Sequence, residues 1–140
     1  MKRLLVSSIG TVALVLAAAA VAVAAAPQSG SVLIRHEVAH CHAWSFNGGA
    51  IGATASGTVG RNGTVTVKND DVMSHKLYQL SGPKAVFTGS PNMAHMGASV
   101  KVTFPAAGVY VFGTKAGEDY MKGIKTVGAD NVLRLKITVR

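Results

Sequence analysis

The sequence has one cysteine, Cys41, few acids and few aromatic side chains. A single cysteine excludes a disulfide within the chain. The six acids include only two adjacent pairs, Asp70-Asp71 and Glu118-Asp119, and no Gly-x-Ser-x-Gly turn or glycine-rich phosphate loop is present. Asp is favoured in turns because its side chain bonds to the local backbone, so we interpret Asp70-Asp71 as a turn. The sequence therefore indicates no enzyme of the common hydrolytic or nucleotide-dependent classes.

The chain has more basic than acidic residues. Without Lys2 and Arg3, twelve Lys and Arg face six acids, which leaves a net charge of +6. The cations are scattered along the chain with no aromatic residues between them, so the pattern does not favour nucleic-acid binding. It favours acidic partners or an anionic cell envelope.

The first 26 residues have the composition of an export signal. Lys2 and Arg3 precede a long apolar run that ends in small residues, and Ala22-Val23-Ala24 fits a cleavage site. The alternative is an uncleaved anchor, because the run from Val6 to Ala26 is nearly long enough to span a bilayer. We therefore expect a secreted, periplasmic or envelope protein, with residues 27–140 as a single domain and membrane contact only through the N-terminal segment.

Alternating apolar and polar residues dominate the chain after residue 30. At the C-terminal end, Leu133, Leu135, Ile137 and Val139 share one face and cations share the other. Such patterns, separated by turn residues, predict the strands Ser31–His36, Val38–Phe46, Thr64–Lys68, His75–Leu80, Lys84–Thr88, Ser99–Phe104, Val109–Thr114 and Val132–Arg140. Only Ala116–Lys125 suggests a turn of helix. The sequence predicts an all-β, two-sheet antiparallel sandwich with Greek-key connections.

Nitrogen and sulfur donors are grouped in four short clusters. Beyond residue 26 the chain contains five His, four Met and one Cys. The clusters are His36/His40/Cys41/His42, Met73/His75, Met93/His95/Met96 and Tyr120/Met121. Imidazole suits Cu(II), whereas thioether and thiolate suit Cu(I), so this mixture favours copper. Zinc would more naturally take several Cys or a carboxylate.

The stretch His40-Cys41-His42 has two interpretations. In an extended strand His40 and His42 point to one face, about 7 Å apart, and Cys41 points to the other. Both imidazoles could then approach a metal, and Cys41 could join them only if the strand is bulged. Alternatively, both His occupy the solvent face and Cys41 packs inside with Ala43. His36, beside Arg35 and Glu37, is interpreted as a surface residue.

The loop Met93-Ala94-His95-Met96 is the most concentrated of the four clusters. Two thioethers and one imidazole within four residues of a loop are difficult to explain by packing, which indicates a metal site. The alternative is that Met93 or Met96 fills an open end of the sandwich, as flexible Met side chains often do.

In Gly63–His75 a turn glycine is followed by an alternating strand, an Asn-Asp pair and a His, and Phe104–Phe112 begins with a Pro-Ala-Ala-Gly turn after its first residue. These segments resemble the cupredoxins, the plastocyanin-like copper sandwiches: the first is similar to the strand and turn before the first copper-binding His, which His75 matches, and the second to the corner and penultimate strand. Met121, before Lys122-Gly123, matches the axial Met, but the family's Cys and second His are absent after Phe112. The resemblance spans Val38 to Arg140 and implies a copper-related function, with the copper ion and an acidic redox or copper-delivery protein as partners.

The missing Cys and His change the expected function. Because a blue copper centre needs a thiolate and two imidazoles, we expect an exported protein for copper binding, storage or delivery at a site rich in His and Met. The candidate ligands are His40, Cys41, His42, His75, Met93, His95, Met96 and Met121. The alternatives are an electron carrier with Cys41 as a relocated thiolate ligand and a metal-free interaction module. Copper-dependent redox activity stays open.

Overall fold

Two five-stranded sheets form the molecule in the computed structural model, which describes residues 25–37, 41–116 and 133–140. The strands are β1 (Ser29–Glu37), β2 (Cys41–Phe46), β3 (Thr54–Val59), β4 (Thr64–Asn69), β5 (His75–Ser81), β6 (Val86–Thr88), β7 (Asn92–Met93), β8 (Ser99–Thr103), β9 (Gly108–Ala116) and β10 (Arg134–Val139). One sheet has the order β2-β1-β4-β8-β6 and the other β3-β10-β9-β5-β7. The predicted all-β, two-sheet sandwich is confirmed.

Both sheets are mixed, whereas the prediction was antiparallel. β1 pairs in parallel with β4, and β10 pairs in parallel with β3. The remaining strand pairs are antiparallel. A parallel pair requires a crossover between its strands. Here the chain changes sheet at every connection from β2 to β9, so the β4–β5 connection at residues 70–74 runs from one sheet to the other.

The structure adds strands that the hydrophobic pattern does not indicate. β3 lies in a stretch of small residues that was not predicted as a strand, and β7 is a two-residue strand inside the predicted Met-rich loop. The suggested helical turn lies outside the described residues beyond Ala116. Most of the predicted export signal, residues 1–24, also lies outside them. Within the described part of the chain, no helix has the length and apolar character needed to cross a membrane.

The core between the sheets is aromatic towards one end. Phe104 packs edge-on against Tyr110 and Phe112, with ring centroids 4.9 and 6.1 Å apart, and all three are buried. The Tyr110 hydroxyl donates a hydrogen bond to the Ala106 carbonyl at 2.7 Å. Phe104 lies in the β8–β9 connection, and Tyr110 and Phe112 lie within the first five residues of β9, whereas the end of β9 at Ala116 pairs with His75. The imidazole ring of His75 therefore occupies a different part of the interior from the aromatic cluster.

Candidate metal centre

Two of the predicted ligands, His42 and His75, meet in the interior. His42 lies near the start of β2 in one sheet, and His75 is the first residue of β5 in the other. Their ring centroids are 4.6 Å apart with the planes nearly perpendicular, and both side chains are fully buried. His42 shares the inward face of β2 with Trp44, and both are fully buried. The alternative that placed His42 on the solvent face is therefore wrong.

Asp71 lies between the two imidazoles. His42 Nδ1 is 2.5 Å and His75 Nε2 is 3.0 Å from the same carboxylate oxygen, Asp71 Oδ2. The carboxylate is almost completely buried, at 1% exposure. An ionised carboxylate only accepts hydrogen bonds, so both facing nitrogens donate to it. Asp71 thereby sets the orientation and tautomer of two rings that come from different sheets.

The loop that carries Asp71 is held by Asn69, the last residue of β4. The Asn69 side-chain amide donates to the Met73 carbonyl at 2.7 Å and to the Met93 carbonyl at 3.1 Å, and its oxygen accepts the Asp71 N–H at 2.9 Å. Asp71 Oδ1 in turn accepts the Met73 N–H at 3.2 Å. This is the local hydrogen bonding expected of a turn Asp. Because Oδ1 bonds to the turn backbone, the second carboxylate oxygen, Oδ2, faces the two imidazole rings.

Asp71 is an ionised group in this environment. Burial raises the pKa of its carboxyl, but hydrogen bonds from His75, from the Met73 backbone N–H and from His42, together with the charge of His42, outweigh that effect. The pKa of Asp71 therefore lies below its ordinary value of 3.8. The site presents a fixed negative charge to any cation that enters it.

The lowered pKa of Asp71 predicts a loss of stability in acid. A carboxyl whose folded-state pKa is depressed stabilises the fold above its unfolded-state pKa, and this stabilisation declines as the pH falls through the folded-state value. For the metal-free protein we expect the free energy of unfolding to fall below about pH 3.8. Urea unfolding at a series of pH values measures this. Asp71→Asn should show a smaller decline, and an identical acid profile in that variant would contradict the prediction.

His36 lies at the open side of the cluster. It is the direct cross-strand partner of His42 in the β1–β2 pair, and their ring centroids are 5.6 Å apart. Its Nδ1 is 4.0 Å from Asp71 Oδ1, and its side chain is 56% exposed. His36, His42 and Asp71 each offer one ligand atom, and these atoms lie within 4.8 Å of one another. His36 is exposed, as predicted for a surface residue, but it belongs to the cluster.

The neighbouring acid, Asp70, makes a separate set of contacts. Its carboxylate lies 3.6 Å from Arg35 Nε and 3.9 Å from Lys68 Nζ, and all three side chains are partly exposed. The two adjacent acids thus face different environments: Asp70 pairs with surface cations, whereas Asp71 faces imidazoles in the interior.

The Met-rich loop divides between core and surface. Met93 is fully buried, belongs to the hydrophobic core and is the register partner of His75 across β5 and β7. This is the alternative in which Met fills the interior. Met96 is 53% exposed, and His95 is exposed with Nδ1 at 3.0 Å from the Met96 carbonyl oxygen. A contribution of Met93, His95 or Met96 to metal binding stays a prediction.

The remaining predicted ligands are not placed by the structure. His40 and Met121 lie outside the described residues, and only the backbone of Cys41 is described, as the partner of Glu37 at the start of β2. Sequence reasoning missed Asp71 as a site residue. The available signal was its position four residues before His75, in a turn that leads directly into a strand beginning with a candidate ligand.

The ligand atoms of the cluster determine which metal ions it can bind. A blue copper centre needs a thiolate with two imidazoles. His36, His42, Asp71 and His75 offer imidazole nitrogens and a carboxylate, which suit a divalent ion such as Cu(II) or Zn(II) without a thiolate. The cluster therefore fits copper bound through nitrogen and oxygen.

Comparison with solved structures finds amicyanins. The chain is similar to a proline-to-glycine variant of amicyanin in its reduced Cu(I) form at pH 4, with 19% identity, TM-score 0.45, and coverage of 87% of this chain and 88% of that one. Amicyanin from Paracoccus versutus is 18% identical, with TM-score 0.43 and coverage of 79% and 81%. These neighbours are cupredoxins, the class that the sequence resembles. No family model and no curated protein matches the chain. At such low identity the likeness concerns the fold alone.

Proposed function

We propose that this is an exported copper-binding protein that stores or delivers copper in the cell envelope. His42, Asp71 and His75 hold the ion in the interior, where it displaces the protons from the two imidazole nitrogens that face Asp71. His36 completes the site at its open side. Bound copper would supply a cation that offsets the buried carboxylate. Export is proposed from the charge and apolar pattern of residues 1–26.

The observation that carries this proposal is the position of Asp71. A carboxylate that is 1% exposed contacts two fully buried imidazoles, and a third imidazole stands 4.0 Å away. Burying a charge is costly unless it is paired. If these positions served stability alone, apolar residues would cost less free energy, because apolar side chains of similar volume often stabilise a fold as well or better. A buried carboxylate shared by imidazoles is the pattern by which proteins hold and orient metal ligands.

The carboxylate and imidazoles also suit zinc, and copper is proposed because it has the higher affinity for such donors. For a given site of nitrogen and oxygen ligands, divalent ions bind in an order that places Cu(II) above Ni(II) and Zn(II). The same donors do not provide the soft sulfur environment that favours Cu(I). The cluster therefore supports binding of the oxidised ion and not a rapid cycle between two oxidation states.

The test is copper loading of the purified protein. The metal-free chain is mixed with excess Cu(II), unbound ion is removed by gel filtration, and copper per chain is measured together with the visible and EPR spectra. We expect equimolar copper with weak d–d absorption. His42→Ala should lose the ion because it removes a buried ligand, and Cys41→Ser should retain it. Zn(II) should bind and be displaced by Cu(II).

The other outcomes identify the competing functions. An intense thiolate-to-copper band that disappears in Cys41→Ser would indicate the electron carrier. If the wild-type protein retains no copper, the metal-free interaction module is the function that remains. Copper loss in His95→Ala would add the loop imidazole to the ligand set, whereas full retention would remove His95 from it. Circular dichroism of each variant establishes that the fold is intact.

A further inference from the structure

Exposure differs sharply among the four residues of the cluster. The side chains of His42, Asp71 and His75 are at most 1% exposed, whereas that of His36 is 56% exposed. We propose that His36 is the exchangeable ligand of this site, the side chain through which a divalent ion enters from solvent and leaves to an acceptor. This inference rests on the proposed copper-binding function.

The strand pairing aims His36 at the buried ligands. In an antiparallel pair, directly opposite residues project to the same side of the sheet. His36 is opposite His42, so its ring projects to the side on which His42 meets Asp71. β1 ends one residue after His36, and β2 begins one residue before His42. The pair therefore stands at the end of the strand ladder, where a side chain can be exposed although its cross-strand partner is buried.

The distances are consistent with transfer between neighbouring donors. His36 Nδ1 is 4.0 Å from Oδ1 of Asp71. The other carboxylate oxygen, Oδ2, contacts both buried rings. A hydrated ion exchanges its waters for protein ligands in steps, and the first protein ligand has to be reachable from water. His36 meets that condition, and Asp71 is the adjacent donor. Release reverses this order: an acceptor that offers imidazole, thiolate or carboxylate donors replaces His36 first.

A kinetic experiment separates this function from that of a holding ligand. Trp44, the single tryptophan of the chain, is buried two residues after His42, so bound Cu(II) should quench its fluorescence. Stopped-flow mixing of metal-free protein with Cu(II) then gives the loading rate. His36→Gln keeps a polar side chain at an exposed position. Lys101→Gln is the control, because it introduces the same side chain at an exposed strand position outside the cluster.

We expect His36→Gln to load roughly tenfold more slowly or worse, equivalent to about 1.4 kcal/mol in the barrier, and still to reach equimolar copper. Lys101→Gln should load at the wild-type rate. An unchanged loading rate in His36→Gln would overturn the inference while copper binding stands, even if release of copper to a chelator becomes faster. Equal slowing by Lys101→Gln would overturn it too. If wild-type protein retains no copper, both the proposed function and this inference fail.

Discussion

Asp71→Asn is expected to abolish the stabilisation of the protein by copper. Asparagine keeps the size of the side chain but removes the negative charge that two imidazoles contact at 2.5 and 3.0 Å. A ligand that binds only the folded state, present at 100 times its Kd, stabilises it by about 2.7 kcal/mol. We expect that increment in the wild-type protein and none in Asp71→Asn. Urea unfolding with and without Cu(II) measures it.

The adjacent acid supplies the matched control for this experiment. Asp70→Asn makes the same chemical change one residue away, where the carboxylate pairs with exposed Arg35 and Lys68. Exposed ion pairs contribute little, typically about 0–1 kcal/mol. Asp70→Asn should therefore retain the full copper increment. A copper increment of wild-type size in Asp71→Asn would remove Asp71 from the site, and equal losses in the two variants would point to a nonspecific charge effect.

Trp44→Ala is expected to cause the largest loss of stability of any single substitution proposed for this chain. Trp44 is the largest fully buried side chain, and its indole N–H donates to the Ala53 carbonyl at 3.2 Å. Truncation of a buried Trp to Ala typically costs about 3–5 kcal/mol, because the lost burial is followed by an unfilled cavity. Domains of this size are stable by only about 5–15 kcal/mol, so the variant should be close to unfolding.

Denaturant unfolding of the metal-free protein tests the effect of Trp44. The urea midpoint should fall with an unchanged slope, which would indicate a change in stability and not in the unfolded state. Val72→Ala is the control, because Val72 is 78% exposed and its truncation should have little effect. A loss below about 1 kcal/mol in Trp44→Ala would contradict the packing described for β2.

Strand prediction succeeded where large apolar residues alternate with polar ones and failed at β3. β4, β8 and β10 have strict alternation, and the structure forms strands at the predicted places. β3 is rich in small residues, and its partner β10 determines its conformation by parallel pairing. A methyl group built on Gly57 would overlap the Phe46 ring, so the present position of that ring depends on a glycine there. Alternation of large apolar and polar residues therefore does not identify such a strand.

For the site too, the types of ligand could be predicted from the sequence, whereas the contacts between distant residues could not. His42 and His75 were identified as candidate ligands because their donor atoms suit copper, and the structure places their rings 4.6 Å apart. Asp71 resembled any turn aspartate, and its backbone contacts are indeed those of a turn. Its importance depends on rings brought from β2 and β5. His36 was interpreted correctly as exposed, but its proximity to Asp71 arises from its pairing with His42.

The sequence by itself determined the class of fold and the chemical nature of the donors, because alternation of apolar residues and the types of side chain are local properties. Tertiary structure decided which donors meet. The β4–β5 connection crosses from one sheet to the other and carries Asp71 into the space between His42 and His75. The three side chains are separated by up to 33 residues along the chain, and only the packing of two sheets brings them within hydrogen-bonding distance.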